Sequence, residues 1–327
     1  MVKIVVLGPG GWGTALAVLF CNNGHAVTVW GKFPEEIQKL AQTRTNPLLP
    51  NVTIPDAVEL TTDIACAKDC EIAIIATPSF AVRETAHRLQ GILKQDTVVV
   101  SVAKGFEKET LKTFSSVIAE ELPENNIVAL SGPSHAEEVA VGVPTSIVAA
   151  GKDMAAAEYV QKTLTCDSFR IYTNADVIGV ETGAALKNII AMAAGICDGL
   201  GLGDNTIAAL VTRGMNEISR LGVKLGAKQK TFAGLSGIGD LIVTCTSRHS
   251  RNRRFGKALG EGMSVEAALK SVGMTVESYY ATASAKKLAE QYGVEMPIVN
   301  ECYRILYENG NPRDAIHRLM NRKMKHE

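Results

Sequence analysis

The 327-residue chain carries 34 lysines and arginines against 34 aspartates and glutamates, with 46% hydrophobic and 21% charged residues. This is the composition of a folded globular protein, which excludes a disordered or low-complexity chain. The balanced charge also gives no global attraction for nucleic acid or a membrane surface. Single domains usually run to ~100–200 residues, so the length implies two.

Met1 leads directly into Val2-Lys3-Ile4-Val5-Val6-Leu7, without a charged leader or cleavage site, so the expected location is the cytoplasm. The longest Ala/Ile-rich stretch, residues 189–197, is far below the ~20 residues of a membrane span. Seven scattered cysteines, with no second Cys/His pair beside Cys66 and Cys70, read as reduced thiols and give no metal centre.

In chain order, short β-branched runs at residues 3–7, 26–30, 71–76, 97–102, 126–130 and 146–149 predict strands. Each is nearly continuous in apolar character, as strands covered on both faces are. Helical patterns at 13–22, 81–93 and 109–121 lie between them. Repeated strand–helix–strand units imply an α/β fold, a Rossmann-like, doubly wound parallel sheet. From residue 181 the pattern becomes helical, at 181–200, 206–221, 265–271, 278–292, 297–308 and 312–321. Pro297 and Pro312 stand where helices begin, since proline lacks only an N–H that the first turn does not use. The expected domains are 1–180 and an all-helical 181–327.

Gly8-Pro9-Gly10-Gly11-Trp12-Gly13 follows the first strand and opens a helix. In that setting Gly8 permits the tight turn, Gly10 admits a pyrophosphate, and Gly13 lets the helix pack closely on the strand. A dinucleotide is the ligand this predicts. The second strand ends Val29-Trp30-Gly31-Lys32, without the acidic residue that binds the ribose hydroxyls of NAD. Lys32 would suit a 2′-phosphate, so both NAD and NADP are expected to work.

Lys104 falls at the carboxyl end of strand 97–102, the edge at which open α/β sheets bind ligands. Ser131-Gly132-Pro133-Ser134-His135-Ala136 forms a turn after the next strand, with Ser134 suited to capping a helix. Lys187 lies in an otherwise small and apolar helix beside Asn188. Burial disfavours a charged lysine, which is how such a residue becomes a proton acceptor near neutral pH. Gly234, Gly237 and Gly239 place a flexible turn before Asp240, which would hold a lysine or a substrate hydroxyl, or cap a helix. Residues 248–257 contain Arg248, Arg251, Arg253, Arg254 and Lys257, a local anion site or a solvated face. Arg251 offers a planar fork for phosphate and Asn252 an amide donor. No interleaved aromatics or reader motif accompany this run, so nucleic acid is not an expected partner.

These segments, in this order and across essentially the whole chain, resemble the bacterial-type NAD(P)-dependent glycerol-3-phosphate dehydrogenases. Ser131–Ala136 together with Ser250-Arg251-Asn252 is more specific than the glycine loop. The resemblance implies that Lys187 is the proton acceptor, with Lys104 and Asp240 beside it as catalytic candidates. It implies substrate binding by Lys104, Gly132, Ser134, Asp240, Ser250, Arg251 and Asn252. It implies cofactor contacts at Gly10, Gly11, Trp12, Lys32, Lys104, Ala136, Arg251 and Glu277, and the loop reading adds Gly8 and Gly13. The family makes sn-glycerol 3-phosphate from dihydroxyacetone phosphate for phospholipid synthesis. Pro9 stands where the family usually has alanine, and Ser278 where glycine is commoner. Relatives acting on 6-phosphogluconate or 3-hydroxy acids share this plan, and a non-catalytic NAD(H) sensor is the rival of another class. A homodimer is expected from the frequency of symmetric dimers alone.

Overall fold

The structure is a computed structural model that describes residues 1–324 and residue 326. The chain divides into two compact units, Met1–Glu181 and Thr182–Glu327.

In the first unit, β1 (Lys3–Leu7), α1 (Gly11–Asn22), β2 (Ala26–Trp30) and α2 (Pro34–Thr43) lead to a small hairpin, β3 (Thr45–Asn46) and β4 (Leu49–Thr53). Next come β5 (Glu59–Thr61), β6 (Ile72–Ile75), α3 (Val82–Arg88), β7 (Val98–Ser101), α4 (Phe114–Glu121) and β8 (Ile127–Ser131). The unit closes with α5 (Ala136–Val139), β9 (Thr145–Gly151), α6 (Met154–Leu164) and β10 (Phe169–Asn174). Eight strands form one sheet in the order β10-β9-β8-β7-β6-β1-β2-β5. The order turns back at β1, which lies between β2 and β6, paired Lys3↔Ala26 and Ile4↔Ile72.

The sheet departs from the all-parallel expectation in one place: β9 runs antiparallel to β8, with Leu130 opposite Ala149. Apolar periodicity identifies a strand but carries no direction. The α6–β10 pair was not expected from the sequence, since β10 (Phe-Arg-Ile-Tyr-Thr-Asn) is an edge strand whose alternate residues are exposed. Predicted helices 81–93 and 109–121 are shorter in the structure, beginning at Val82 and Phe114. Thr113, before α4, makes no side-chain cap. The buried Glu181 carboxylate replaces it, accepting from the Ser115 N–H (2.8 Å) and the Ser115 hydroxyl. Burial pushes the Glu181 carboxyl up, and those two donors oppose the shift.

In the second unit, α7 (Val177–Gly199, beginning just before the division) leads to α8 (Asp204–Lys224), α9 (Asp240–Thr246) and α10 (Arg251–Gly260). After them come α11 (Val265–Val272), α12 (Glu277–Gln291), α13 (Pro297–Tyr307) and α14 (Pro312–Met320). Pro297 and Pro312 open α13 and α14, as the sequence predicts. The apolar run of α7 exceeds the 189–197 stretch noted in the sequence. Its 23 residues are long and apolar enough to cross a membrane by length and composition, but 94% of its 18-residue apolar stretch is buried, as in a core helix.

Within this unit α7 and α10 meet backbone to backbone. A Cβ placed on Gly195 would stand 2.0 Å from the Arg253 carbonyl, and one on Gly256 would stand 1.9 Å from that of Met192. Gly199 and Gly260 repeat the contact one turn on, at 2.3 and 2.4 Å. Glu217, buried on α8, accepts hydrogen bonds from the Ile298 and Val299 N–H groups and so caps α13. Glu301 receives a two-pronged Arg318 guanidinium (3.0 and 2.8 Å) that ties α14 to α13.

Candidate active site

The glycine loop leaves β1 at the middle of the sheet and turns into α1. Gly8 has φ +118°, and a Cβ there would stand 2.8 Å from Ala76 backbone, so only glycine fits. A Cβ on Gly13 would approach the Gly8 carbonyl to 2.1 Å, which makes this the tightest point between loop and helix. Gly10 faces open space, and no side chain caps α1. The first N–H groups of a twelve-residue helix therefore point toward the open loop, the arrangement that favours a phosphate. Gly11 and Trp12 form the first turn of α1. Asn46, not singled out in the sequence, fixes the loop from the β3–β4 hairpin. It is buried and donates to the Pro9 carbonyl (2.8 Å) and the Thr14 hydroxyl (2.7 Å).

Two large apolar side chains flank this loop in strand order. Phe33, after β2, is 61% exposed, and Phe80, after β6, is 80% exposed. Neither stands out in the sequence, because exposure is a property of the fold and not of the local pattern. Lys32 pairs with Glu84 at the start of α3 (2.8 Å), both side chains about half exposed. Lys32 and then Arg88 hold the Glu84 carboxyl below its ordinary range.

Lys104 and Ser134 converge on a single atom. The Lys104 ammonium donates to the Gly132 carbonyl at 3.2 Å, and the Ser134 hydroxyl donates to the same oxygen at 3.0 Å. Gly132 has φ +152°, and a Cβ there would press on Ile147 at 3.0 Å. The expected helix cap at Ser134 is not formed: α5 begins at Ala136, and the residue before it is His135, without a side-chain cap. The Gly132 carbonyl is the acceptor that the hydroxyl takes instead.

In the second unit Lys187 is 5% exposed and Asp240 1%. The Lys187 ammonium donates to Asp240 Oδ1 at 2.5 Å and to the Thr244 hydroxyl at 2.8 Å. Thr244 itself donates to the Asp240 carbonyl (2.6 Å), one helical turn back. Two features set this geometry. Leu235–Gly239 forms a π-helical turn into α9, a distortion that recurs at functional sites. Gly183 lets α7 lie against it, since a Cβ there would stand 2.8 Å from the Ser236 carbonyl. Thr244 escaped the sequence reading; its only signal is the i,i+4 spacing from Asp240. A buried ion pair is costly to assemble, and loss of one partner would leave the other charge buried and uncompensated.

The anion-binding expectation divides. Ser250 caps α10 through the Arg253 N–H (3.2 Å). Arg251 is exposed on its first turn. Asn252 is buried, donates to Asn188 Oδ1 (3.0 Å) and accepts from the Ser278 N–H (2.9 Å) beside Glu277 on α12. Arg253 and Lys257, by contrast, pair with Asp198 on α7 (2.9 and 3.5 Å), so that part of the basic run is structural. Among the described residues no group of three or more His, Cys, Asp or Glu is placed to hold a metal ion. Burial pushes the Cys245 thiol, next to Thr244, up to about 12, which keeps it protonated and inert.

Comparison with known proteins follows the same division. Residues 3–157 match the NAD-dependent glycerol-3-phosphate dehydrogenase N-terminus model, and residues 176–317 the C-terminus model. Glycerol-3-phosphate dehydrogenase [NAD(P)+] of Moorella thermoacetica is 53% identical, covering 99% of this chain and 97% of the relative. The protein of that name from Desulfitobacterium hafniense is 51% identical, covering 100% and 93%. The crystal structure of glycerol-3-phosphate dehydrogenase from Coxiella burnetii superposes with a TM-score of 0.94 at 37% identity, covering 98% of this chain and 99% of that one. The chain belongs to the NAD-dependent glycerol-3-phosphate dehydrogenase family.

Proposed function

We propose that the chain interconverts dihydroxyacetone phosphate and sn-glycerol 3-phosphate with NADH or NADPH, supplying the glycerol backbone of phospholipids. The observation that carries this reading is Lys187, a buried ammonium held by Asp240 and Thr244 on a helix packed against α10, whose first turn exposes Arg251 between the buried Ser250 and Asn252.

The glycine loop fits a dinucleotide: its backbone donors are open at Gly10, and a side chain at Gly8 or Gly13 would close it. When bound, the nicotinamide supplies or accepts the hydride. Lys187 manages the proton. In reduction it donates a hydrogen bond to the ketone oxygen and releases its proton to the developing alkoxide; in oxidation the neutral amine takes the hydroxyl proton. Asp240 and Thr244 orient Lys187, and Asp240 balances its charge. Arg251 and the α10 N-terminus hold the phosphate, whose remote binding energy fixes the reacting carbon in place. Lys104 and Ser134, gathered at the Gly132 carbonyl, are assigned to the substrate, and Lys32 to the adenosine end of the cofactor.

The test is oxidation of NADH and NADPH, followed by absorbance, with dihydroxyacetone phosphate beside unphosphorylated dihydroxyacetone. Turnover of the phosphorylated ketone alone is the expected result. Preference for 6-phosphogluconate or a 3-hydroxy acid would move the assignment to those relatives, and cofactor binding without turnover would leave a sensor. Cytoplasmic residence goes with this reading, supported by seven free thiols. A homodimer remains the expected assembly, to be read by sedimentation.

A further inference from the structure

Lys104 lies in the loop of residues 102–113, between β7 and α4, which is not held by regular structure. Gly105 and Leu111 take left-handed backbone there (φ +157° and +59°). The loop folds onto itself at Glu107: its N–H donates to the Lys112 carbonyl (2.9 Å), its carbonyl accepts from Leu111 (2.8 Å), and its carboxylate accepts from the Thr110 hydroxyl (2.5 Å). That carboxylate is seized from α3. Arg83 donates to both Glu107 oxygens in a parallel fork (Nε 2.7 Å, Nη2 2.8 Å), and its remaining donors reach Glu121 (2.7 Å) and Glu120 (2.8 Å) on α4.

One guanidinium thus joins α3, α4 and the loop three residues from Lys104, and its single positive charge, together with Lys112 beside Glu120, offsets part of the repulsion among three carboxylates. The fork explains why Arg83 holds the Glu107 carboxyl below its usual range. A lysine offers no such planar fork.

We infer that Arg83 is a positioning residue for the reaction, acting through Glu107 to hold the loop that aims Lys104. The inference rests on the reading that Lys104 serves the substrate. Displacement of a positioned group by ~1 Å can cost up to ~100-fold in rate, so Arg83→Met is expected to lower kcat/KM for dihydroxyacetone phosphate by about tenfold or more. NADH affinity, measured by fluorescence titration, should change less than twofold. Added guanidinium should restore much of the rate, and methylammonium should not.

The deciding experiment is the cycle of Arg83→Met, Lys104→Met and the double variant. If Arg83 acts through Lys104, its replacement costs little once Lys104 is gone. A full, additive loss in the Lys104→Met background overturns the inference while leaving the Lys104 reading intact. Wild-type kinetics in Lys104→Met overturn that reading and the inference with it. Should Arg83→Met fail to fold, Glu107→Gln enters the same cycle with the same expectations.

Discussion

The glycine loop and the lysine centre are made of opposite materials. In the proposed reaction the groups at residues 8–13 that would meet the cofactor are backbone N–H donors, and the sequence contributes chiefly by leaving side chains out. Around Lys187 the working groups are side chains, forced into the interior and satisfied by one another. A backbone site tolerates changes that keep the chain path and add no side chain at Gly8 or Gly13, whereas a buried ion pair fails when a single partner is lost. Damage should therefore spread differently in the two regions.

Lys187→Ala applies the hardest test. Removal of a general acid–base residue lowers kcat by ~10²- to 10⁴-fold, with NADH binding by the loop unchanged. Near wild-type turnover would take Lys187 out of the chemistry.

The second test concerns stability and uses another buried charge of the helical unit. Burial raises the Glu217 carboxyl to about 7 from 4.5, against the opposing Ile298 and Val299 N–H donors. Its folded value lies above its unfolded one, so its contribution is fully present below pH 4.5 and is lost as pH rises through 7. The total is about 3 kcal/mol at ~1.4 kcal/mol per pH unit. Urea melts of Glu217→Gln should show a flatter dependence between pH 5 and 8 than those of the unaltered chain; parallel curves would contradict the raised value.

Smaller in effect is Arg251→Ala. Loss of charge-assisted hydrogen bonds worth ~1.5–3 kcal/mol should raise KM for the phosphorylated ketone by about ten- to a hundredfold. Unphosphorylated dihydroxyacetone should be little affected, and an equal loss on both would refute a phosphate role. The least change is expected from Glu84→Gln, which frees Lys32 from an exposed ion pair. The NADPH-to-NADH ratio of kcat/KM should rise about threefold, the scale of such surface pairs. An unchanged ratio would remove Lys32 from cofactor discrimination.

The same contrast governs how much the sequence reveals. Lys3–Leu7 and the glycines after it are legible because strand, turn and helix each leave a local pattern. The helical half is legible in outline, through its periodicity and the prolines at 297 and 312. What stays hidden depends on contacts far apart in the chain. Thr244, Asn46 and Arg83 are ordinary polar residues until the fold brings Lys187, Pro9 and Glu107 to them. Ser134 shows the converse: its position suits a cap, yet a nearer carbonyl claims the hydroxyl. The basic run after Arg248 reads as one patch, although Asp198, some fifty residues earlier, takes Arg253 and Lys257 out of it.

The four glycines between α7 and α10 carry a consequence for the timescale on which this unit opens. With carbonyls pressed against the opposing helix at Gly195, Gly199, Gly256 and Gly260, the two backbones leave little room for water to enter between them. Deuterium should enter this seam only when the whole unit comes apart, long after the termini and loops have exchanged. Hydrogen exchange should then place the helix that bears Lys187 among the late-exchanging segments of its unit, and the proposed acid–base group would keep its place through the faster local fluctuations around it.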